Sequence, residues 1–293
     1  DFSAAANIAT APTGLLIPPS NVMITYSLVS GGTSVAALFM AGYIPGIAWG
    51  ISLMFIAGYM AKKRGYVSTF SVTPKEALKV LWDALPSLLL IIIVIGGILK
   101  GVFTATEGSA IAVVYALILS LCYRSLKIKD LPSIILSSCK TTCIVIFMIG
   151  VSSIMSWVMA YTMIPTANAM LSLSSNKYVI LLLMNVILLV VGTFMDPTPA
   201  VLIFTPIFLP ICQSFGMDPV QFGIMIVFNL CIGTITPPVG VILFTGCKVV
   251  GISIEGVIKT LLPFFAAIAV VLLLVTYVPA MSMWIPSMLG LVK

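Results

Sequence analysis

Eight apolar runs, separated by short polar stretches, constrain this chain more than any other feature of its sequence. A transmembrane α-helix needs about 20 predominantly apolar residues, and most of the runs approach or exceed that length. The runs cover residues 3–30, 33–61, 86–103, 107–123, 140–161, 178–214, 219–247 and 257–285. Because 61% of the residues are hydrophobic and only 8% are charged, unlike a soluble domain, we predict an all-α polytopic membrane protein.

The ionisable residues exclude several classes of function. The chain contains no histidine, which removes histidine-based metal sites and Ser-His-Asp catalysis. It also lacks the G-x-x-x-x-G-K-[ST] run of a nucleotide-binding P-loop. The Lys and Arg residues lie between the apolar runs and form no stripe with aromatic residues, which argues against nucleic-acid binding. We therefore predict that the chain is not an enzyme.

The distribution of basic residues predicts the orientation in the lipid bilayer. If successive runs alternate in direction, one side carries Lys100, Lys177 and Lys293, and the other side carries the remaining 11 of the 14 Lys and Arg residues. Cytoplasmic loops are enriched in Lys and Arg. The side with 11 basic residues is therefore predicted to face the cytoplasm.

The run 178–214 is too long for one helix and contains a break at Met195-Asp196-Pro197-Thr198-Pro199. Each proline lacks an N–H donor and restricts the residue before it, so the helix is predicted to end there. The run folds back either as two crossings or as a shallow re-entrant hairpin, whose tip is tolerated where protein surrounds it. In both cases it begins and ends on the outer side, and in the first Asp196 is only a solvated tip.

A repeat links the two ends of the chain. Residues 14–22 (Gly-Leu-Leu-Ile-Pro-Pro-Ser-Asn-Val) align with residues 233–241 (Gly-Thr-Ile-Thr-Pro-Pro-Val-Gly-Val) at a constant offset of 219 positions. Four crossings and the hairpin separate the two elements, so they are predicted to cross the bilayer in opposite directions. Such an inverted repeat of broken helices points to a secondary transporter with its ligands near the midplane. The alternative is that each Pro-Pro pair merely kinks a packed helix.

The chemistry expected at the two breaks is coordination of a cation by oxygen. Each Pro-Pro pair removes two N–H donors and frees backbone carbonyls on the preceding turn. Oxygen-bearing and small residues flank the breaks: Thr10, Thr13, Gly14, Ser20 and Asn21 in the first, and Asn229, Gly233, Thr234, Thr236 and Gly240 in the second. Only Asp196 and Glu107 are candidate intramembrane carboxylates, which favours sodium over a proton relay. Glu107 is equally well explained as a helix N-terminal cap.

Three other stretches bear on packing. The spacing Gly42-x-x-x-Gly46-x-x-x-Gly50 predicts a flat helix face for close approach to a scaffold or to another subunit. Stretches 75–83 and 126–140 mix polar and apolar residues, and they are either helices along the cytoplasmic interface or plain loops.

In six motifs the chain is similar to the large membrane subunit of tripartite ATP-independent periplasmic (TRAP) transporters, over nearly its whole length. The motifs occupy residues 14–22, 38–46 (Leu-Phe-Met-Ala-Gly-Tyr-Ile-Pro-Gly), 62–66 (Lys-Lys-Arg-Gly-Tyr), 103–107 (Phe-Thr-Ala-Thr-Glu), 196–207 and 229–240. The resemblance implies a sodium-driven importer of carboxylated solutes in the bacterial inner membrane. It also implies two partners, a small four-helix membrane subunit and a periplasmic substrate-binding protein.

The same resemblance implies an elevator-type ion transporter fold, in which hairpins and broken helices slide against a scaffold. It implies two sodium (Na+) sites, one at Gly14, Pro18 and Ser20, and the other at Thr193, Asp196, Gly233, Thr236 and Gly240. The solute is expected between the breaks, at Thr10, Asn21, Asn229 and Thr234. With no Lys or Arg mid-span, its carboxylate would be held by half-helix N-termini, hydroxyls and amides, which suits a sialic acid, another sugar acid or a C4-dicarboxylate.

The expected domain organisation follows from these elements. Residues 1–32 form the first broken helix, 33–161 the scaffold and connecting helices, 162–250 the hairpin with the second broken helix, and 251–293 a C-terminal transmembrane helix. The family's first hairpin precedes the first Pro-Pro element, so the chain is expected to be N-terminally incomplete by roughly 130 residues, judged from the repeat. A symporter of dicarboxylate and sodium that needs no binding protein, and a channel-like membrane subunit, remain alternatives.

Overall fold

The computed structural model describes residues 1–66, 73–162 and 176–292, and these residues are helical with short connections. The helices are α1 (Phe2–Thr10), α2 (Thr13–Leu16), α3 (Asn21–Val29), α4 (Val35–Lys63), α5 (Pro74–Leu99), α6 (Ala105–Cys122), α7 (Leu131–Thr162), α8 (Lys177–Gly192), α9 (Pro197–Ser214), α10 (Pro219–Gly233), α11 (Val241–Val250), α12 (Ile254–Tyr277) and α13 (Ala280–Met288). A short 3-10 helix, Ile128–Asp130, precedes α7.

Among the described residues, five helical segments are long and apolar enough to cross a membrane. They are Val35–Lys63, Lys75–Leu99, Ile128–Val151, Pro197–Ser214 and Ile254–Tyr277. Shorter apolar helices lie at Thr106–Cys122, Lys177–Gly192, Pro219–Gly233 and Val241–Val250. The predicted all-α class with several membrane spans is confirmed.

The third span begins earlier than its apolar run. Helix α5 starts at Pro74, where the Thr73 hydroxyl accepts from the Glu76 backbone N–H and the Glu76 carboxylate accepts from the Thr73 backbone N–H. This capping box starts the helix, and the helix continues through Pro86. Stretch 75–83 is therefore the first part of α5, and most of stretch 126–140 belongs to the 3-10 helix and the start of α7.

The chain divides into two compact units, Asp1–Met60 with Val145–Lys293, and Ala61–Ile144. In the second unit, α5 packs against α6, and the Tyr115 hydroxyl donates to the Pro86 carbonyl at 2.7 Å. The predicted division into transport and scaffold segments stays a prediction, and its boundary at 161/162 adjoins residues 163–175, which lie outside the described ranges.

Helix α10 forms the centre of the first unit. Every residue from Val220 to Gly233 is buried, and the helix packs against α2, α3, α8, α9, α12 and α13. A helix that is apolar on all sides needs such enclosure. The hairpin arms and the second helix break are therefore assembled around one common element.

Candidate functional site

The first break lies between α2 and α3. The Ser20 hydroxyl donates to the Leu15 carbonyl at 2.6 Å and accepts from the Met23 backbone N–H at 3.4 Å, so it caps α3. The Leu15 carbonyl has no helical donor four residues later, because that position is Pro19. Ser20 therefore supplies the bond that the proline removes.

The second break is closed by its own backbone. Pro237 and Pro238 remove the helical donors of the Gly233 and Thr234 carbonyls. Instead, the Gly233 carbonyl accepts from the Thr236 N–H at 3.0 Å, and the Thr234 carbonyl accepts from the Ile242 N–H at 3.0 Å. The aligned carbonyls of Leu15 and Thr234 are thus both bonded across their breaks, although the donors differ.

Gly240 is the residue that the second break requires to be glycine. Its φ is +29°, and a Cβ built there would lie 2.8 Å from the Thr236 carbonyl oxygen. Its N–H donates to the Thr193 carbonyl at 3.3 Å, at the tip of the hairpin formed by α8 and α9. This bond joins the hairpin to the second break.

A second contact between the same elements involves two glycines. Gly192 ends α8 and Gly233 ends α10, and a Cβ at Gly233 would overlap the Gly192 backbone. Small residues of this kind let two helix backbones approach closely. The structure therefore brings together Thr193, Gly233 and Gly240, three of the five residues expected at one sodium site.

The remaining two residues of that set, Asp196 and Thr236, lie in the same two connections between helices. Asp196 is exposed and caps α9, its carboxylate accepting from the Thr198 N–H at 3.2 Å. Thr236 is half-buried, and its hydroxyl donates to the Ile232 carbonyl at 2.7 Å. The Thr193 hydroxyl donates to Val190 in the same way. Because each hydroxyl uses its proton within its own helix, its lone pairs remain available to a cation.

The residues expected at the first sodium site lie along one short segment. Gly14 is exposed, while Pro18 and Ser20 are buried. Of the solute residues expected beside them, Thr10 and Asn21 are both exposed, and the Thr10 hydroxyl donates to the Ala6 carbonyl.

The two expected solute residues of the second broken helix are buried. The Thr234 hydroxyl donates to the Cys231 carbonyl at 2.7 Å. Asn229 has no exposed surface, and its amide nitrogen donates to the Asn185 side-chain oxygen at 2.7 Å. Asn185 was not singled out from the sequence, although a lone amide within the apolar run 178–194 was an available signal. The roles of all these residues in binding stay predictions.

The contacts between the two broken helices pair the segment after each break with the segment before the other break. After the first break, Tyr26 donates its hydroxyl to the carbonyl of Pro219 at 2.6 Å, ahead of the second break. Ahead of the first break, Ile8 lies against Gly246, which follows the second break. Accordingly α3 packs on α10 while α1 packs on α11.

Two other features named from the sequence, Glu107 and the glycine face of α4, have structural roles. Glu107 lies in a capping box with Thr104, its carboxylate accepting from the Thr104 N–H at 2.7 Å, so the capping alternative is the one observed. In α4, a Cβ at Gly42 would overlap the Leu16 carbonyl and one at Gly46 would meet Ile17. The glycine face therefore lies against the first break, whereas Gly50 has no atom within 4 Å of an added Cβ.

Comparison of the sequence with known protein families identifies a family that matches nearly the whole chain. Residues 1–281 match the family described as tripartite ATP-independent periplasmic transporter, DctM component. Among relatives, the chain is 55% identical to the uncharacterized protein YgiK of Salmonella typhimurium, over 98% of this chain and 66% of that protein.

Two further relatives have names that state a function. The chain is 40% identical to the isethionate TRAP transporter permease protein DctMQ of Oleidesulfovibrio alaskensis, over 97% of this chain and 45% of that protein. It is 38% identical to the C4-dicarboxylate TRAP transporter large permease protein DctM of Pseudomonas aeruginosa, over 95% of this chain and 66% of that protein. The chain thus spans less than two thirds of each of these relatives. Their names agree with the prediction of a protein that is not an enzyme.

Proposed function

Because this chain belongs to the DctM family of tripartite ATP-independent periplasmic transporters, we propose that it is part of the membrane permease of a sodium-coupled secondary transporter. In this proposal the permease imports a small carboxylated solute that a periplasmic binding protein delivers. The permease lies in the bacterial inner membrane together with a small four-helix membrane subunit.

The observation that carries the sodium coupling is the contact between the hairpin tip and the second break. The Gly240 N–H reaches the Thr193 carbonyl at 3.3 Å, and the hydroxyls of Thr193 and Thr236 keep lone pairs free of their helix bonds. Hard cations prefer oxygen ligands. Within the described ranges, no three His, Cys, Asp or Glu side chains cluster, so a transition-metal site is not favoured there, whereas a carbonyl and hydroxyl site for sodium is.

The opposed packing of the two broken helices supports the inverted repeat. Tyr26 follows one break and contacts Pro219, which precedes the other, while Ile8 and Gly246 show the reverse relationship. If two broken helices run antiparallel and each is broken near its middle, the ends of their half-helices lie close together. Ligand sites in inverted-repeat transporters are built at such places.

An elevator mechanism is supported by the way these elements share one core. Both hairpin arms, α8 and α9, and helices α2 and α3 of the first broken helix pack on the buried helix α10, which is itself the first half of the second broken helix. In the proposal they move as one body, so that the ion and the solute cross the bilayer with them.

The proposed solute is a small organic anion. The relatives are named for isethionate, a sulfonate, and for a C4-dicarboxylate, and the sequence suits a sialic acid or another sugar acid equally. In this chain the start of α3, with exposed Asn21 and the capping Ser20, offers N–H groups and an amide to an anion. A helix N-terminus favours negative charge.

The test is uptake by the full-length permease, reconstituted in vesicles with its small membrane subunit. Labelled C4-dicarboxylate, sialic acid and isethionate are each presented with and without the cognate binding protein, under an inward sodium gradient or an equal potassium gradient. We expect saturable uptake of one solute that requires both sodium and the binding protein. Uptake without a binding protein would favour the independent symporter, and flux that neither saturates nor needs an ion gradient would favour a channel.

A further inference from the structure

A ladder of buried polar side chains connects α8, α10 and α12 one helical turn away from the second break. It consists of Asn229, Asn185 and Thr276, which are each at most 2% exposed. Asn229 donates to Asn185 at 2.7 Å, and Asn185 donates to the Thr276 hydroxyl oxygen at 2.9 Å. Asn185 and Thr276 lie outside the proposed ion and solute sites, whereas Asn229 is itself one of the proposed solute residues.

The direction of every bond in the ladder is determined by its neighbours. The Thr276 hydroxyl gives its proton to the Leu272 carbonyl at 2.9 Å, so it can only accept from Asn185. Asn185 therefore presents its amide nitrogen to Thr276 and its oxygen to Asn229. Asn229 faces two acceptors, the Asn185 oxygen and the Met225 carbonyl at 2.8 Å, so its nitrogen must point to them. Each amide is held in a single orientation.

The ladder and the proposed sodium site lie on the same seam between α8 and α10. Asn229 precedes Gly233 by four residues and Asn185 precedes Gly192 by seven, so each pair shares a face of its helix. Gly192 and Gly233 are in backbone contact, and the next residue, Thr193, carries the carbonyl bonded to Gly240. The position of α8 along α10 therefore decides where that carbonyl lies.

We propose that Asn185 and Thr276 are positioning residues for sodium binding, because they fix the register of the hairpin arm α8 against α10. Between membrane helices, packing of small residues and hydrogen bonds determine association, since lipid is as apolar as the side chains. The glycine contact allows α8 and α10 to approach, and the directional amide ladder selects one register. The inference rests on the proposed function.

The experiment titrates the full-length permease, purified with its small membrane subunit, with sodium chloride at constant ionic strength in choline chloride. The midpoint of sodium-induced thermal stabilisation is measured for wild type, Thr276→Val, Thr276→Ser and Asn185→Ser. Thr276→Val removes the acceptor at nearly constant volume, whereas Thr276→Ser keeps it. Asn185→Ser shortens the side chain by one bond, so both hydrogen bonds of the Asn185 amide are lost or lengthened.

We expect Thr276→Val and Asn185→Ser to raise the sodium midpoint about tenfold, as loss of groups that orient ion ligands does, and Thr276→Ser to stay within about twofold of wild type. Thr260→Val is the matched control, because Thr260 is also buried on α12 but its hydroxyl bonds to Asp1. A purely structural ladder would lower the melting temperature without sodium and leave the midpoint unchanged. That result in either folded variant overturns the proposal, as does failure of both to fold.

Thr236→Val is titrated in parallel to separate the two proposals. If Thr236→Val shifts the midpoint and Thr276→Val does not, the positioning role is wrong and the sodium site stands. If wild type shows no stabilisation by sodium over choline, the sodium coupling itself is wrong, and the inference is overturned with it.

Discussion

Gly240 donates its backbone N–H to the carbonyl of Thr193 over 3.3 Å, which ties the tip of the hairpin to the second helix break. The two residues are 47 positions apart in the chain. Their contact defines the candidate ion site, and substitutions at Thr236, Gly240, Gly42 and Glu107, each with a control, test the proposed roles of these residues.

Thr236→Val should raise the sodium concentration needed for half-maximal uptake several-fold, since one oxygen ligand worth about 1 kcal/mol is lost at nearly constant volume. Expression should stay near normal. Thr245→Val is the control, because the Thr245 hydroxyl also donates to a carbonyl four residues earlier but is exposed on α11. Unchanged sodium dependence of Thr236→Val would remove that residue from the site.

Gly240→Ala should abolish uptake, and Gly240→Leu, whose side chain is larger, should abolish it as well. A Cβ at this position meets the Thr236 carbonyl oxygen at 2.8 Å and must also adopt a positive φ. Gly216→Ala separates the two effects, since Gly216 has φ of +75° but no atom within 4 Å of an added Cβ. Gly216→Ala should lower the free energy of unfolding by only about 1–2 kcal/mol, which is the cost of a positive φ for an L-residue. Equal uptake by the two alanine variants would contradict the steric argument.

Gly42→Ala should destabilise the first unit by about 1–3 kcal/mol, the usual cost of overpacking. The added methyl group would overlap the Leu16 carbonyl beside the first break. Gly50→Ala lies two helical turns further along the same helix and meets no atom within 4 Å, so it should be neutral or slightly stabilising. Thermal unfolding of the two purified variants decides the matter, and matching melting temperatures would argue against the contact.

Glu107→Ala should leave the sodium dependence of uptake unchanged while lowering the melting temperature slightly, as expected for a lost helix cap. The Glu107 carboxylate accepts from the Thr104 N–H and hydroxyl. Glu107→Gln retains a capping oxygen and should recover most of the stability. A large increase in the sodium requirement for both variants would instead place Glu107 in an ion site.

The helix breaks could be located from the sequence because proline acts locally. Pro18-Pro19 and Pro237-Pro238 interrupt helices and Pro197 begins one, whereas the single prolines Pro45 and Pro86 lie within helices that continue past them. The meeting of the hairpin tip with the second break was expected only through the family resemblance. The apolar pattern contains no information on which loops approach each other.

Other features depend on long-range geometry or on competing local signals. The first turns of α5 contain enough polar residues that the sequence is also compatible with a loop between two helices. The Thr73–Glu76 capping box nevertheless begins the helix there. Asn185 is one amide within an apolar run, and its importance becomes visible only when α12 supplies Thr276 as a partner. The glycine face of α4 was recognised, but its partner, the first break, lies about 26 residues earlier and is set by tertiary packing.

The enclosure of α10 has a consequence for how this protein tolerates change. From Val220 to Gly233 the helix exposes no surface to lipid. A side chain that faces fluid acyl chains can change size at little cost, but no side chain in this part of α10 is in that position. A change in side-chain volume at any of these positions therefore alters the packing of a neighbouring helix. A scan of all substitutions should therefore find that every position along α10 tolerates few of them. In a helix that borders the bilayer, by contrast, every third or fourth position faces lipid and tolerates many.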